Sequence, residues 1–303
     1  MKKYFIYSLL LATSFFSCEM VVDVDVPREP SKLVVNSLFS TDSVFSAEVY
    51  YSRYILDDTY PTHLINANVR VFEGDQLVCQ LVFDESRNLF LPDRDARPEA
   101  GKTYRIEASH TNYQTAEATA IAQPIVPIES LHFTGQSIVR DYQTYHILEM
   151  TFTDLPGNQT YLLEMQQNII NYYVVGEDTV YDYYSYPNYI ISDDPSVVTD
   201  ENGGSVYVLD DSFDGKQYTL RLMVPDYSAY EYEGVRITNS INLKNISEEY
   251  YLFVRSYNNH TYNEGNPFAE PVSVYSNITN AYGIFAGFGE YRMELPSITT
   301  QGN

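Results

Sequence analysis

The sequence predicts a mainly β protein with two β-rich segments and one helix, and three observations predict this class. Short runs of β-branched and aromatic residues alternate with polar residues along most of the chain, turn-forming residues divide these runs, and a single stretch has helical spacing instead. Hydrophobic residues make up 44% of the 303 residues, which is enough for a large core. We therefore expect an N-terminal immunoglobulin-like or transthyretin-like β-sandwich followed by a second β-rich domain.

The first eighteen residues have the pattern of a lipoprotein signal peptide. Two lysines precede a thirteen-residue apolar run, 4–16, that is too short to span a bilayer, and Ser17 and Cys18 follow it. In bacterial lipoproteins diacylglycerol is joined to such a cysteine, and the chain is cut just before it. We expect a signal peptide over 1–17 and a lipid on Cys18. Because Phe15 stands where the usual motif has leucine, an ordinary signal peptide with a chance cysteine is the alternative.

Charge and cysteine content limit the classes of partner. Removing 1–17 takes away two positive charges and no negative ones, so the formal net charge moves from −23 to −25. Nucleic acids and anionic membrane surfaces attract clustered lysine and arginine, so neither is an expected partner of this acidic surface. With Cys18 lipidated, only Cys79 remains, which excludes an intramolecular disulfide. Cys79 lies in an apolar run and is predicted to be a buried core thiol.

The elements of the first half follow a period of two. Residues 18–30 contain alternating valine and aspartate followed by two prolines, which indicates a tether. Gly74-Asp75 predicts a hairpin turn, and Pro124 and Pro127 mark a domain boundary near residue 125. Seven short strands within ninety residues predict a sandwich over 31–124. These strands are 33–35, 44–51, 69–72, 76–83, 89–91, 102–108 and 113–121.

The second half, 125–303, is predicted to be β-rich with one helix near 247–262. Ser247 is a suitable N-cap, two glutamates favour the positive end of the helix, and Gly265 is expected to end it. Between 283 and 289 glycines alternate with large apolar residues, which predicts a terminal strand that another part of the chain approaches closely. The other predicted strands are 142–152, 160–175, 179–191, 205–209, 217–224 and 234–243.

Several short motifs, in a fixed order, carry a resemblance to a known family. They are Lys32-Leu33-Val34-Val35-Asn36, Gly101-Lys102-Thr103-Tyr104, Pro127-Ile128-Glu129-Ser130, Asn266-Pro267-Phe268-Ala269-Glu270-Pro271-Val272 and Gly283-Ile284-Phe285. Together with the Cys18 segment they resemble the Bacteroidetes lipoproteins grouped as domain of unknown function 4249. The resemblance implies a lipid-anchored protein on the periplasmic or cell-surface face of the outer membrane, with a TonB-dependent receptor as partner. It transfers no catalytic residue and no ligand.

The sequence contains none of the common catalytic or cofactor motifs. It has no Gly-x-Ser-x-Gly elbow, phosphate-binding glycine loop, His-Glu-x-x-His or paired-cysteine metal motif, and its five histidines are scattered. We therefore expect no enzyme, no cofactor and no metal site. A hydrolase with two carboxylates is the alternative, because their separation in space cannot be read from sequence. Residues 210–215 imitate the start of a calcium loop, but Arg221 stands at the twelfth position, so a polar turn is predicted instead. The alternative is a looser calcium site that also uses Asp193, Asp194 or Asp200.

A concentration of tyrosine in the second half is the main candidate for a binding site. Tyrosine offers a rigid apolar face with a polar tip, which suits the recognition of sugars, peptides or a receptor loop. The alternative is ordinary strand tyrosines with one buried face. The function expected is an accessory binding subunit of TonB-dependent uptake, and the rival class is a structural or adhesive, fimbrial-type surface protein. The seven candidate residues are Tyr172, Tyr173, Tyr181, Tyr183, Tyr184, Tyr186 and Tyr189.

Overall fold

A computed structural model describes residues 29–54, 57, 60–176, 178–200, 205–225, 230–232, 234–264, 266, 270 and 272–296. The predicted signal peptide 1–17, Cys18 and nearly all of the tether 18–30 lie outside these described residues. The described residues form a mainly β structure of several sheets with one α-helix in the C-terminal half. The predicted fold class is confirmed.

Seventeen strands and one helix, α1, are described in the chain. The helix spans Glu248–Asn263. The strands are β1 (Leu33–Ser40), β2 (Glu48–Tyr51), β3 (Asn68–Glu73), β4 (Gln76–Asp84), β5 (Leu89–Pro92), β6 (Thr103–His110), β7 (Tyr113–Ile121), β8 (Ile128–Arg140), β9 (Gln143–Thr153), β10 (Thr160–Val175), β11 (Asp178–Asn188), β12 (Val197–Thr199), β13 (Val206–Leu209), β14 (Gln217–Pro225), β15 (Tyr230–Tyr232), β16 (Val235–Ile246) and β17 (Tyr282–Glu294).

A nine-stranded central sheet contains strands from both ends of the chain. Its order is β12-β13-β10-β16-β17-β1-β2, with β11 beside β10 and β15 beside β16. The first strand runs parallel to the last, from the pair Val34 and Tyr282 to the pair Ser40 and Phe288. Strands β3 to β7 form a separate five-stranded sheet, and β14-β9-β8 form a third sheet. Within 31–124, therefore, β1 and β2 share a sheet with β17, while the boundary near residue 125 stays a prediction.

Two hydrophobic cores lie on one face of the central sheet, and strand β17 takes part in both. The first core lies beneath the five-stranded sheet and includes Phe285, whose ring centroid is 4.7 Å from that of Phe39. The second core lies beneath the three-stranded sheet, and Tyr291 and Met293 pack against it. Even-numbered residues of β17, such as Ile284, lie in a third cluster with α1 on the opposite face. The period of two along one strand thus distributes side chains among three clusters.

The end of β7 and its connection to β8 pass directly over β17 at two glycines. A Cβ atom at Gly287 would lie 2.1 Å from the carbonyl oxygen of Ile121, and one at Gly289 would lie 2.3 Å from that of Pro124. The Asn245 side chain donates a hydrogen bond of 3.2 Å to the same Pro124 oxygen. Because no side chain fits at either position, the close approach predicted from the alternating glycines is confirmed.

Helix α1 begins where the sequence predicts and packs on the central sheet. The Ser247 hydroxyl accepts a hydrogen bond from the Tyr250 backbone N–H at 3.4 Å, and Glu248 and Glu249 occupy the first turn. The Tyr250 side chain is buried, and Tyr251 meets Tyr207 of the sheet edge-on at 4.9 Å. The helix ends at Asn263, and the predicted stop at 265 lies outside the described residues. None of the helical residues described forms a stretch with the length and apolarity of a membrane span.

A charged network lies between α1 and the sheet. The Lys244 ammonium is 2.7 Å from a Glu164 carboxylate oxygen, and Asn242 donates to Glu290 at 2.5 Å. Only 13% of the Lys244 side chain is exposed. Burial raises the pKa of Glu290, although Lys244 opposes this shift, and nearby Glu164 raises it further. One ammonium therefore offsets two carboxylates in a poorly hydrated position.

Cys79 is fully buried in the first core, as predicted. Burial, assisted by the charge of Asp93, raises the pKa of its thiol to about 11. A thiol that stays protonated at neutral pH is a poor nucleophile. Its contribution is therefore packing.

Candidate functional site

Strands β10 and β11 extend beyond the second core, with β16 beside β10 as far as Asn171. Met165 is the last residue of β10 that belongs to this core, and pairing continues without a bulge from Met165 opposite Asn188 to Val175 opposite Asp178. Most residues of β11 are exposed. Among the described strands, β11 pairs with β10 alone. We call residues 166–188 the tyrosine ribbon.

One face of the tyrosine ribbon presents a row of three aromatic rings. The centroids of Tyr172 and Tyr181 are 6.4 Å apart, and those of Tyr181 and Tyr183 are 6.2 Å apart with nearly parallel planes. Tyr181 is 52% exposed and Tyr183 is 70% exposed. The apolar residue Ile170 lies opposite Tyr183 in the register, so the row continues as an apolar surface. We call this side of the ribbon the first face.

The second face of the ribbon carries another three of the predicted residues, Tyr173, Tyr184 and Tyr186. Strand alternation places them opposite the first row, and each is about half exposed. The seventh residue, Tyr189, lies at the base instead. Its hydroxyl donates to the Gln143 side chain, and its ring is 6.5 Å from that of Tyr145, which ties the ribbon to β9. The structure thus brings six of the seven tyrosines together as two surfaces, and their binding role stays a prediction.

The ionisable side chains of strand β11 are aspartates and tyrosines, so its charge at neutral pH is negative. Asp178 and Asp182 are the ionisable acids of its sequence, which contains no lysine or arginine. Both lie on the second face, four residues apart. Among the described residues no ion pair or hydrogen bond reaches either carboxylate. The ribbon is therefore an acidic aromatic surface that faces solvent.

The turn between β8 and β9 adds two exposed apolar side chains that sequence reasoning missed. Asp141 and Tyr142 have positive φ values of 51° and 63°, and Tyr142 is fully exposed. Val139 beside them is 75% exposed. Positive φ is uncommon for a bulky residue, and the only local signal is the short polar turn between two apolar runs.

A shallow cavity of about 310 Å³ lies next to this turn. It is lined by Ile138, Met223, Asp193, Asp194 and Arg221. The Tyr218 hydroxyl donates to Asp194 at 2.8 Å, and Arg140 lies 3.4 Å from Asp193, so both carboxylates already have partners. The volume is at the lower limit for a small-molecule site. The sequence gives no sign of this cavity, because its lining comes from three distant segments.

The segment that imitates a calcium loop forms a polar turn between β13 and β14, as predicted. Asp210 and Asp214 of this turn lie with Asp154 such that their oxygens are within 4.8 Å of one another. Each carboxylate accepts a backbone N–H: Asp154 from Gly215 at 2.8 Å, Asp210 from Gln159 at 2.7 Å, and Asp214 from Gly157 at 2.8 Å. The hydroxyl of buried Tyr161 also donates to Asp154. These hydrogen bonds connect the loop between β9 and β10 to the turn between β13 and β14.

Replacing Asp210 by asparagine is expected to stabilise the protein at neutral pH. Burial raises the pKa of Asp210, and the charges of Asp154 and Asp214 add to this shift. A carboxyl group with a raised folded-state pKa favours folding when protonated, and this contribution falls as the pH rises above its ordinary value of 3.8. Asparagine keeps an oxygen for the Gln159 N–H without the charge. Thermal unfolding should give a higher midpoint for D210N at pH 7, with the difference shrinking toward pH 3.5.

Asp211→Asn is the matched control for this experiment, because Asp211 is exposed in the same turn. Its unfolding midpoint should stay close to that of the wild type at both pH values. A lower midpoint for D210N at pH 7 would mean that the ionised carboxylate stabilises the turn, contrary to the prediction.

The fold and the ribbon define a multi-sheet β protein with an exposed acidic aromatic edge. The family described as "Domain of unknown function (DUF4249)" matches residues 19–294, and the chain belongs to this family. The family resemblance of the motifs is thereby confirmed. No curated protein matches the chain. Among solved structures, the yeast delta-COP-I mu-homology domain aligns with 88% of this chain and 97% of its own at 10% identity, but its TM-score of 0.19 supports no argument.

Proposed function

We propose that the protein is a lipid-anchored binding protein of the outer membrane, without catalytic chemistry, that acts as an accessory subunit of a TonB-dependent uptake system. The tyrosine ribbon is the observation that carries this proposal. Six exposed or half-exposed tyrosines form two apolar surfaces beyond the cores. Monomeric proteins rarely expose contiguous apolar patches of this kind unless a partner covers them. Tyrosine binds such partners at low entropic cost, because it has few rotatable bonds.

The mechanism would be recognition assisted by the membrane. A lipid on Cys18 would confine the protein to the plane that holds its receptor, which raises the effective concentration of each for the other. The ribbon would then supply the contact. In the acidic cluster of Asp154, Asp210 and Asp214, each carboxylate accepts one backbone N–H, which suits a structural role for this cluster.

A pull-down from outer membranes solubilised in mild detergent tests the proposal. Tagged wild-type protein should retain a TonB-dependent β-barrel, and Cys18→Ala should retain less of it, because the anchor no longer brings the two together. Recovery of the wild type without a barrel would contradict the proposal. Recovery as polymers would favour the adhesive, fimbrial-type class instead.

Removing two tyrosines from the first face should reduce partner retention without unfolding the protein. We expect the double substitution Tyr181→Ser and Tyr183→Ser to leave the free energy of unfolding within about 1 kcal/mol of the wild type, because both side chains are more than half exposed. Retention of the partner should fall at least about tenfold if this face makes the contact. Urea unfolding and quantitative pull-down measure the two effects.

Tyr60→Ser provides the matched control, since Tyr60 is 89% exposed and lies outside the ribbon. It should change neither stability nor retention. Equal retention by the double variant and the wild type would show that the first face does not contact the partner.

A further inference from the structure

The outer edge of β11 is an open strand edge of unusual length. The strand has eleven residues and pairs continuously with β10, and no other described strand covers its far side. An exposed edge presents unpaired backbone N–H and C=O groups to any extended chain. Edge strands are commonly protected by lysines, bulges or prolines. Here there is no lysine and no bulge, and Pro187 stands near one end only.

The side chains beside this edge suit an added strand. Tyr181 and Tyr183 project on the first face, and Tyr184 and Tyr186 project on the second. A strand placed along the edge would therefore find aromatic cross-strand neighbours on both of its faces. Backbone hydrogen bonds would supply affinity, and alternate side chains would supply selectivity, as in strand addition generally.

Charge determines which kind of strand fits. Asp178 and Asp182 lie on one face with Val180 between them, and neither has a partner among the described residues. Residues directly opposite in two paired strands share a face, so a complementary segment has lysine or arginine at two positions four residues apart and an apolar residue midway. A second copy of this chain fits poorly, because it carries the same aspartates and a formal net charge of −23.

We propose that β11 binds an extended, basic segment of a partner protein by strand addition along its free edge. This inference rests on the proposed function and specifies the chemistry of the partner. The complex would extend the nine-stranded central sheet by one strand, with two cationic side chains opposite Asp178 and Asp182.

A synthetic peptide tests the proposal directly on the folded protein. The probe is an acetylated, amidated nine-residue peptide of threonines with lysines at positions two and six and valine at position four. Two control peptides are used. One carries glutamate in place of lysine, and the other carries N-methyl groups on the alternate backbone nitrogens that would face β11. We expect saturable binding of the lysine peptide, with slowed amide exchange confined to 178–188. The N-methylated peptide should bind at least about tenfold more weakly, because strand pairing needs its backbone donors.

Charge reversal in the protein should exchange the preference between peptides. Asp178→Lys with Asp182→Lys should weaken binding of the lysine peptide at least about tenfold and strengthen binding of the glutamate peptide. Asp211→Lys, an exposed acidic residue in a distant turn, is the control and should leave the preference unchanged. Both variants should unfold at the wild-type midpoint, because the substituted side chains are on the surface.

Three outcomes would overturn strand addition. One is the absence of protection at β11 at about 1 mM peptide, and another is equal binding of the N-methylated peptide. The third is a concentration-dependent dimer with β11 protected before any peptide is added, which would assign the edge to a second copy. If the pull-down still retains a β-barrel, these results leave the proposed function standing. If the peptide binds and no barrel is retained, only the receptor partnership fails.

Discussion

Replacing Gly287 by alanine is expected to destabilise the folded state by about 3 kcal/mol, the upper range for overpacking. The added Cβ would lie 2.1 Å from the Ile121 carbonyl oxygen and 3.0 Å from the Ala122 Cα. Both atoms belong to backbone, so no side-chain rotation relieves the clash. The end of β7 and its connection to β8 would have to move away from β17. This movement would also disturb the packing of both adjoining cores. Urea unfolding monitored by circular dichroism measures the loss.

Gly135→Ala is the control for this prediction. Gly135 has a positive φ of 78° but nothing within 4 Å of an added Cβ, so only backbone strain of about 1 kcal/mol is expected. Gly289→Ala should resemble Gly287→Ala, because its Cβ would meet the Pro124 oxygen at 2.3 Å. Similar losses of stability for Gly135→Ala and Gly287→Ala would mean that the segment over Gly287 can move away from β17 at little energetic cost, contrary to the prediction.

Replacing Lys244 by methionine is expected to cost about 2 to 3 kcal/mol at pH 7. Removing one partner of a buried ion pair commonly costs more, but Glu164 is 35% exposed, and water there reduces the penalty. Methionine preserves most of the volume beneath α1, so the loss reports charge rather than packing. The folded state would retain Glu164 and Glu290 without the ammonium that offsets them.

The pH dependence of this variant distinguishes charge from packing. Burial raises the pKa of Glu290, and losing Lys244 should raise it further, so protonation favours the folded state. The loss in free energy of unfolding caused by K244M should therefore be largest at pH 7. It should shrink as the pH falls toward 4.5, the ordinary pKa of glutamate. Adding Glu164→Gln should recover part of it at pH 7. A deficit independent of pH between 5 and 7, with no recovery in the double variant, would contradict the electrostatic explanation.

Local patterns in the sequence predict most strands and the helix, because these depend on neighbouring residues. Ser247 and the glutamates after it mark the beginning of α1, and Gly74 marks a hairpin turn in which it has a φ of 58°. Strand β8 was not predicted. Its pairing with β9 shifts register twice, near Ile128 and after Phe133, so alternation breaks within the strand.

Contacts between distant segments account for what the sequence does not predict. The alternating glycines of β17 predict a close approach, but nothing local identifies the segment 121–125 that makes it. The same holds for Asp154, which joins Asp210 and Asp214 from another loop. For the ribbon, alternation does separate Tyr181 from Tyr184, whereas the exposure of both faces follows from where the cores end.

The parallel pairing of β1 with β17 places the beginning of β1 and the tyrosine ribbon at opposite ends of the central sheet. It places the beginning of β1, which follows the tether, level with Tyr282, whereas the register through β16 and β10 places Val175 far beyond Glu294. At roughly 3.3 Å per residue these strands span about 70 Å. A lipid on Cys18, as proposed above, would then hold the chain near one end of the central sheet, with the ribbon at the opposite end. A partner that binds the ribbon would then make this contact at the end of the sheet away from the lipid.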